Sequence, residues 1–322
     1  MQLQTFENAT VVKQTGSLYR LTFLPGWEPF TAILSGRLRL RGSKLTNPVT
    51  VGDQVSGHWQ PGEYNQQRKA VITDIHPRKN YLIRKAANWS RQAHVIAANL
   101  DWAYVVVSAT EPQTPFQFID RFLVTCQAYS VPAAIVLNKT DELEWAEGYD
   151  QSAFHLKDVY TRAGYQILEV SGKTGAGMDA FAEKLKGKIS LLSGISGVGK
   201  STLVNALDPS LQLKTAPISH AHLTGKHTTT FYEMHPLRTG GFIIDSPGIK
   251  GFGLLDMTKE EISHYFPEIF ALSPGCRFNG CLHAEEPDCA VKEAVEKGKI
   301  SEERYYSYLR LLEDPEGGKY RT

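Results

Sequence analysis

The chain has 322 residues, a length typical of two or three domains. Hydrophobic residues make up 42% and charged residues 21%, proportions that exclude a mainly disordered chain and a collagen-like chain. No apolar run approaches the ~20 residues of a membrane helix, and the N-terminus lacks the pattern of a signal peptide. We therefore expect a cytoplasmic protein that has no membrane partner.

The nearly neutral net charge of +1 conceals an uneven distribution along the chain. Residues 1–90 contain twelve Lys and Arg against five Asp and Glu, a net charge of +7, and the other 232 residues sum to −6. Such asymmetry indicates that the first part presents a basic surface to an acidic partner.

The first 75 residues contain five short strand patterns separated by turn residues. The patterns lie at 10–13, 17–23, 30–38, 54–58 and 70–75. Short strands at this spacing, without an amphipathic helix, predict a small β-barrel. We assign this first domain to residues 1–78.

Basic and aromatic residues occur together in the predicted barrel. An extended segment would place its alternating arginines on one face. Aromatic side chains of the same domain would be able to stack on RNA bases. A basic face with such rings suits RNA binding. A solvated charged face above an aromatic core explains the composition equally well. The residues concerned are Arg37, Arg39, Arg41, Lys44, Tyr19, Trp27, Trp59 and Tyr64.

Strand and helix patterns alternate from about residue 80, and we assign residues 79–256 to a second domain. Strands are predicted at 103–109, 133–138, 166–170, 189–193 and 241–245, and helices near 117–129, 151–163, 177–187 and 200–207. This alternation predicts an α/β domain whose parallel sheet is covered on both faces.

A phosphate-binding loop lies between a predicted strand and a predicted helix. Its G-x-x-x-x-G-K-[ST] pattern would turn backbone N–H groups toward phosphates, place a lysine at the β- and γ-phosphates, and offer a hydroxyl to Mg²⁺. The start of the helix adds its positive end. A chance glycine-rich turn is the alternative for an isolated pattern. The residues are Gly194, Ile195, Ser196, Gly197, Val198, Gly199, Lys200 and Ser201, followed by Thr202.

Further segments at strand ends favour a guanine nucleotide, GTP or GDP, with Mg²⁺. Asp245 begins Asp-Ser-Pro-Gly248; its carboxylate is expected to hold Mg²⁺ through water, and the Gly248 N–H to contact the γ-phosphate. A second carboxylate is expected to accept hydrogen bonds from two donors of guanine, the N1–H and the exocyclic amine. Adenine does not offer these two donors together. That carboxylate belongs to the segment Asn138, Lys139, Thr140 and Asp141.

Ser171, Gly172 and Lys173 resemble the second base-contacting loop of GTPases, with glycine at the usual alanine position. All these motifs are those of Ras-like GTPases, but the base-contacting segments precede the phosphate loop, which indicates a circular permutation. The turn at Gly248 then leads directly into the C-terminal segment. We therefore expect residues 255–322 to respond to the γ-phosphate.

The segment 214–230 contains the candidate switch and catalytic residues. A threonine hydroxyl there would complete the Mg²⁺ shell; Thr229 is favoured, and Thr228 and Thr230 remain alternatives. Ras-like enzymes orient water with a Gln after the D-x-x-G glycine, but this chain has Ile249. His227 is the nearest catalytic candidate, alongside Lys200; a solvated loop histidine is its alternative. We expect slow hydrolysis without an activating partner.

The C-terminal residues 257–322 are predicted to be helical and to bind zinc. A capping box is expected at 258–261, and a helix from about residue 302 to 313 with Ser301 as its cap. Three thiolates and one imidazole within 14 residues suit a closed, structural Zn²⁺ site. Its ligands are Cys276, Cys281, His283 and Cys289, whereas Cys126 falls at helical spacing among apolar residues and is expected in the core.

The permuted motif order, the segment Gly225-Lys-His-Thr-Thr-Thr230 and the cysteine spacing together resemble the RsgA or YjeQ family of circularly permuted small-ribosomal-subunit biogenesis GTPases. The resemblance covers almost the whole chain. It implies an OB-type barrel, a permuted Ras-like GTPase domain and a helical zinc domain. It also implies that the residue matching His227 positions the attacking water.

The same resemblance implies a cytoplasmic GTPase that acts late in 30S assembly, binds 16S rRNA and is stimulated by the subunit. We expect a monomer that does not bind DNA. Gly197 stands where some permuted GTPases have Asn, which leaves potassium dependence open. Two alternatives remain: an RNA-binding scaffold with negligible turnover, and a GTPase for the large subunit or another RNA.

Overall fold

The computed structural model describes residues 4–36, 38, 48–60, 69–85, 93–145, 148–213, 232–245, 252, 254 and 257–314. Across those ranges, no helix combines the length and apolar character needed to cross a membrane.

The N-terminal residues form the predicted closed barrel. Strand β1 pairs with both β2 and β4, and β3 and β5 complete the circle between them. Apolar side chains such as Val11, Leu21 and Ile72 are fully buried inside it. The strands are β1 Thr5–Thr15, β2 Leu18–Thr22, β3 Phe30–Leu34, β4 Gln54–Trp59 and β5 Ala70–Ile75.

The third strand ends earlier than the sequence predicts. Strand β3 stops at Leu34, and Gly36 and Leu38 are helical, so the expected strand over 30–38 is wrong beyond Leu34. The Ser35 carbonyl and hydroxyl oxygens both accept from the Leu38 N–H, which favours a helical turn here. Arg37, Arg39, Arg41, Lys44 and Tyr64 lie outside the described residues.

A predominantly parallel sheet forms the second part of the molecule. Its order is β10-β9-β8-β11-β13-β12, and only β12 runs antiparallel to its neighbour β13. The strands are β8 Trp102–Ser108, β9 Ala133–Asn138, β10 Ile167–Glu169, β11 Ile189–Ser193, β12 Glu233–Pro236 and β13 Phe242–Asp245.

Helices cover both faces of this sheet, as predicted. Two helices, α1 Phe116–Ala128 and α2 Tyr149–Arg162, pack on one face. Two more, α3 Met178–Leu185 and α4 Lys200–Leu207, pack on the other. Cys126 is fully buried in the first of these cores, which confirms its structural assignment.

The barrel and the parallel sheet are joined in a way that the strand patterns did not predict. Strand β12 pairs with β1 of the barrel, so eleven strands form one continuous sheet. A hairpin of β6 Tyr81–Lys85 and β7 Ala93–Ala98 packs against the barrel, where the Thr50 hydroxyl donates to backbone carbonyls of β7.

The described C-terminal residues contain helices and the cysteine-rich loop. The predicted capping box is present, with the Thr258 N–H donating to Glu261 at 2.8 Å, and Ser301 caps the last helix. A separate apolar core holds the segment together and includes Val124 of α1. The helices are α5 Lys259–Ile262, α6 Pro267–Leu272, α7 Ala290–Glu296 and α8 Glu302–Glu313.

Candidate functional site

The predicted nucleotide-binding segments converge at the carboxyl ends of the parallel strands. Asn138 ends β9, Ser171 follows β10, Gly194 follows β11, and Asp245 ends β13. Loops at this edge of an open α/β sheet commonly form ligand sites. Segments separated by more than a hundred residues in sequence therefore meet in one place.

The phosphate loop occupies 194–199 and leads into α4. Gly199 precedes the helix with a φ of +92°, and a Cβ atom there would lie 2.3 Å from the Asn138 Nδ2 atom. Only glycine meets both conditions. Ser201 and Thr202 are the next residues of the helix after Lys200. The N–H groups of the first turn thus face the loop, as phosphate binding requires.

Lys200 is held at this loop by the loop's own backbone. Its Nζ atom donates to the carbonyl oxygens of Gly194 at 2.7 Å and Ile195 at 2.9 Å. Burial lowers the pKa of Lys200, and the negative charge of Asp245 opposes that shift. Burial likewise raises the pKa of Asp245, against the positive charges of Lys200 and His235. The predicted cation for phosphate and carboxylate for Mg²⁺ therefore lie within electrostatic reach of each other.

Asn138 connects the phosphate loop to the base-contacting loop. Its Nδ2 atom donates to the Val198 carbonyl at 2.9 Å, and its Oδ1 atom accepts from the Gly172 N–H at 3.1 Å. The Asn138 side chain is shielded from water, since the residue is only 2% exposed, and its bond to Val198 is buried. The asparagine therefore holds the loop predicted to bind the phosphates beside the loop predicted to contact the base.

Asp141 and Ser171 also form a direct contact. The Ser171 hydroxyl donates to Asp141 Oδ1 at 2.6 Å and accepts from the N–H groups of Lys173 and Thr174. This bond holds the Asp141 side chain in place. A fixed carboxylate can discriminate a base that offers two donors from one that does not.

Glycine at position 172 has a structural explanation. A Cβ atom there would lie 3.2 Å from both the backbone N and the Cδ2 atom of Leu203 on α4. The alanine that usually occupies this position in GTPases would therefore crowd the helix that follows the phosphate loop.

Several predicted residues lie outside the described part of the chain. They are His227, Gly248 and Ile249, together with Thr228, Thr229 and Thr230. Their proposed roles in water positioning, γ-phosphate sensing and Mg²⁺ binding stay predictions.

The loop after β8 contacts the predicted base-contacting segment, which the sequence did not indicate. Lys139 has a φ of +65°, and its Nζ atom donates to the Glu111 carbonyl at 2.5 Å. The Ala109 N–H donates to the Asn138 carbonyl at 2.8 Å, and the Thr110 hydroxyl bonds to Glu142. No motif distinguishes residues 108–115 in the sequence. Only the pairing of β8 with β9 places them beside the base-contacting segment.

The four predicted zinc ligands converge on one point. Their ligand atoms all lie within 4.8 Å of one another, including 3.8 Å between the Sγ atoms of Cys276 and Cys289. Zn–S bonds of about 2.3 Å in a tetrahedron require sulfurs about 3.8 Å apart. The His283 Nδ1 atom lies 3.4 Å from each of these two sulfurs. The donor set and its spacing fit a structural Zn²⁺.

Neighbouring groups orient these ligands. The His283 Nε2 atom lies 3.0 Å from the Ser273 hydroxyl, which leaves Nδ1 directed toward the sulfurs. Tyr305 and Tyr308 donate to the carbonyls of His283 and Leu282 at 2.6 and 2.7 Å. Burial raises the pKa of the Cys281 thiol to about 12. Bound Zn²⁺ would instead stabilise its thiolate.

Comparison with known proteins agrees with this geometry. The sequence model of the RsgA GTPase family matches residues 75–255. The small ribosomal subunit biogenesis GTPase RsgA of Bacteroides fragilis is 50% identical over 316 residues, covering 97% of this chain and 98% of the relative. The relative of that name from Porphyromonas gingivalis is 48% identical over 317 residues, covering 98% and 99%.

Two solved structures are similar over nearly the whole chain. The crystal structure of YjeQ from Thermotoga maritima has a TM-score of 0.74 and 32% identity, covering 96% of this chain and 98% of that one. YloQ, a circularly permuted GTPase, has a TM-score of 0.69 and 26% identity, covering 97% and 95%. The permuted order inferred from the motifs therefore matches a known fold.

Proposed function

Since the chain belongs to the RsgA GTPase family and is a GTP hydrolase, we propose that it acts on the small ribosomal subunit during late maturation. In this proposal it binds the 30S subunit through 16S rRNA, hydrolyses GTP to GDP and phosphate, and is stimulated by the subunit. The protein works as a cytoplasmic monomer and uses neither DNA nor a membrane.

The observation on which the proposal chiefly rests is the bridge made by Asn138. Asn138 bonds to Val198 of the loop expected to hold the phosphates and to Gly172, next to Ser171, whose hydroxyl donates to Asp141, the carboxylate expected to select guanine. The names of the relatives connect this nucleotide site to the biogenesis of the small subunit. The net charge of +7 on residues 1–90 suits contact with rRNA phosphates.

The proposed division of labour follows the predicted domains. Residues 1–78 bind rRNA, residues 79–256 bind and hydrolyse GTP with Mg²⁺, and residues 257–322 are held by one structural Zn²⁺. Lys200 contacts the phosphates directly. His227 positions the attacking water, and Ser201, Thr229 and Asp245 hold Mg²⁺, the last through water.

Co-sedimentation with purified subunits tests the partner. With a non-hydrolysable GTP analogue, the chain should sediment with 30S and not with 50S subunits. Binding should weaken steeply as salt rises, because rRNA contact releases counterions. Preferential sedimentation with 50S subunits would contradict the proposal.

Multiple-turnover phosphate release tests the enzymatic part. The rate should be low for the chain alone and should increase when 30S subunits are added, and His227→Ala should abolish that increase. A wild-type rate for His227→Ala in the presence of 30S subunits would disprove the role of this histidine. Absence of any stimulated turnover in the wild type would instead favour a scaffold.

A further inference from the structure

A cleft on the barrel is lined by basic and apolar side chains that have no role in the candidate nucleotide site. It has a volume of about 830 Å³, within the range of ligand-binding pockets. Three strands supply most of its wall: β1 contributes Lys13 and Thr15, β2 contributes Leu18 and Arg20, and β3 contributes Phe30. Trp59 of β4 closes one side.

Aromatic rings that are only partly buried form one side of this cleft. The ring centroids of Phe30 and Trp59 lie 4.6 Å apart. Phe23, which is 44% exposed and lies outside the lining, packs 5.5 Å from Phe30. Leu18, which also lines the cleft, is 45% exposed. The apolar surface therefore remains accessible to a flat ligand.

The charge of the lining is positive. Lys13 and Arg20 are adjacent register partners, and no acidic side chain lines the cleft among the described residues. Lys13 already forms an ion pair with Glu233 at 2.6 Å. Arg20 is exposed and has no acidic partner in the described ranges of the chain, so it remains available to an anion.

We propose that this cleft binds an unpaired nucleobase of a single-stranded RNA segment, stacked against Trp59 and Phe30, with a flanking phosphate at Arg20. The inference rests on the proposed binding of RNA by the barrel and names the part of that RNA which is recognised. Stacking tolerates any base because every base has a π-face, and a basic rim tracks the backbone. A peptide without acidic residues is the less suitable occupant, since it would leave Arg20 without an anionic partner.

The test compares two probes of equal length and charge on the full chain. Fluorescein-labelled rU9 and an abasic oligoribonucleotide of nine units are titrated and followed by anisotropy. The wild type should bind rU9 about tenfold more tightly. Leu18→Glu, which alters an exposed residue at the rim, should remove this preference. Arg20→Glu should weaken the binding of both probes.

Matched variants separate stacking from folding. Phe154→Glu places the same charge on another exposed apolar residue, 71% exposed on α2, and should leave both affinities unchanged. Trp59→Phe should retain most of the base preference and Trp59→Ala should lose it. Unchanged GTP hydrolysis in the absence of subunits would show that the nucleotide domain is intact in each variant.

The proposal would be overturned if the wild type bound rU9 and the abasic probe with equal affinity. It would also be overturned if Leu18→Glu preferred rU9 as strongly as the wild type does. Co-sedimentation of the wild type with 30S subunits separates the two levels of inference. If the chain sediments with 30S but shows no base preference, the proposed function stands and the nucleobase cleft fails. A third outcome is that Leu18→Glu no longer sediments with 30S subunits although the wild type shows no preference for rU9. This result would indicate that the cleft binds a ribosomal protein, and it would overturn the proposal.

Discussion

Lys13 and Glu233 are register partners at the junction of the barrel with the parallel sheet, and their side chains form an ion pair of 2.6 Å. Glu233 is in turn the register partner of Asp245 on β13. Three neighbouring strands thus connect the barrel to the carboxylate expected at Mg²⁺. Strand β12 begins at Glu233, shortly after the segment 214–230, which contains Thr229.

Breaking this ion pair should impair communication between the barrel and the nucleotide site. Lys13→Glu places two carboxylates together, and we expect the stimulation of GTP hydrolysis by 30S subunits to fall about two- to fivefold, as suits a partly exposed pair. The unstimulated rate should not change. The exchanged pair Lys13→Glu with Glu233→Lys should restore stimulation; a double variant as impaired as the single one would argue against coupling here.

Asn138→Ala should weaken GDP binding at least about tenfold. The substitution removes both bonds that connect the phosphate loop to the base-contacting loop, each worth about 1–3 kcal/mol when its buried partner is left unpaired. Titration with a fluorescent GDP analogue measures the effect. Asn205→Ala is the matched control, because Asn205 also makes two side-chain bonds to backbone, both to Leu213. Equal losses in both variants would show that the position of Asn138 has no special role.

The cysteine cluster should contain one zinc ion per chain. Metal analysis of Cys281→Ser should show loss of most of this zinc, and hydrogen exchange across residues 257–314 should increase, because metal binding supplies folding free energy to this loop. Cys126→Ala alters the remaining cysteine, which lies in another core, and should keep its zinc. Full zinc content in Cys281→Ser would rule out the proposed ligand set.

Arg304 on α8 should be essential for attachment of the C-terminal segment to the GTPase. It is 1% exposed, pairs with Asp120 of α1 at 2.7 Å and with Glu268 of α6 at 2.6 Å, and lies over the ring of Phe266. Arg304→Met leaves a buried carboxylate uncompensated and should cost about 3–5 kcal/mol in the free energy of unfolding.

Urea unfolding measures this loss, and adding Asp120→Asn to Arg304→Met should recover part of it. Arg310→Ala, on the exposed side of the same helix, should change the free energy of unfolding by less than about 1 kcal/mol. A similar loss in both arginine variants would contradict a special role for the buried network.

Acid should destabilise the protein partly through His94 on the hairpin. Burial, with the nearby charge of Arg84, lowers the pKa of His94 from 6.5 to about 4, and its ring lies 6.4 Å from that of Tyr232. Between these pH values the unfolded chain binds a proton that the folded chain does not, so the free energy of unfolding falls as pH falls from 6.5 to 4. The free energy of unfolding of His94→Gln should fall less than that of the wild type between pH 6.5 and 4. Equal falls in the two proteins would show that His94 does not contribute to acid destabilisation.

Local patterns sufficed for much of the architecture. Short strand patterns separated by turn residues predicted the barrel, and the G-x-x-x-x-G-K-S and Asn-Lys-Thr-Asp segments predicted two loops of the candidate nucleotide site. These motifs are recognisable because their geometry depends on neighbours in sequence: a glycine before a helix, a side chain at the end of a strand. The cysteine and histidine spacing indicated a metal cluster for the same reason.

The amino-acid sequence by itself determined the fold class and the permuted order of the motifs, and it indicated the candidate guanine-nucleotide site and the four candidate metal ligands. Only the tertiary structure decided that β12 pairs with β1, that Asn138 connects two loops, that Gly172 lies against Leu203, and that Arg304 is buried between Asp120 and Glu268. Each of these contacts joins residues at least 30 positions apart. Their partners depend on how strands and helices pack, and no periodicity within one segment reports which distant segment it will meet.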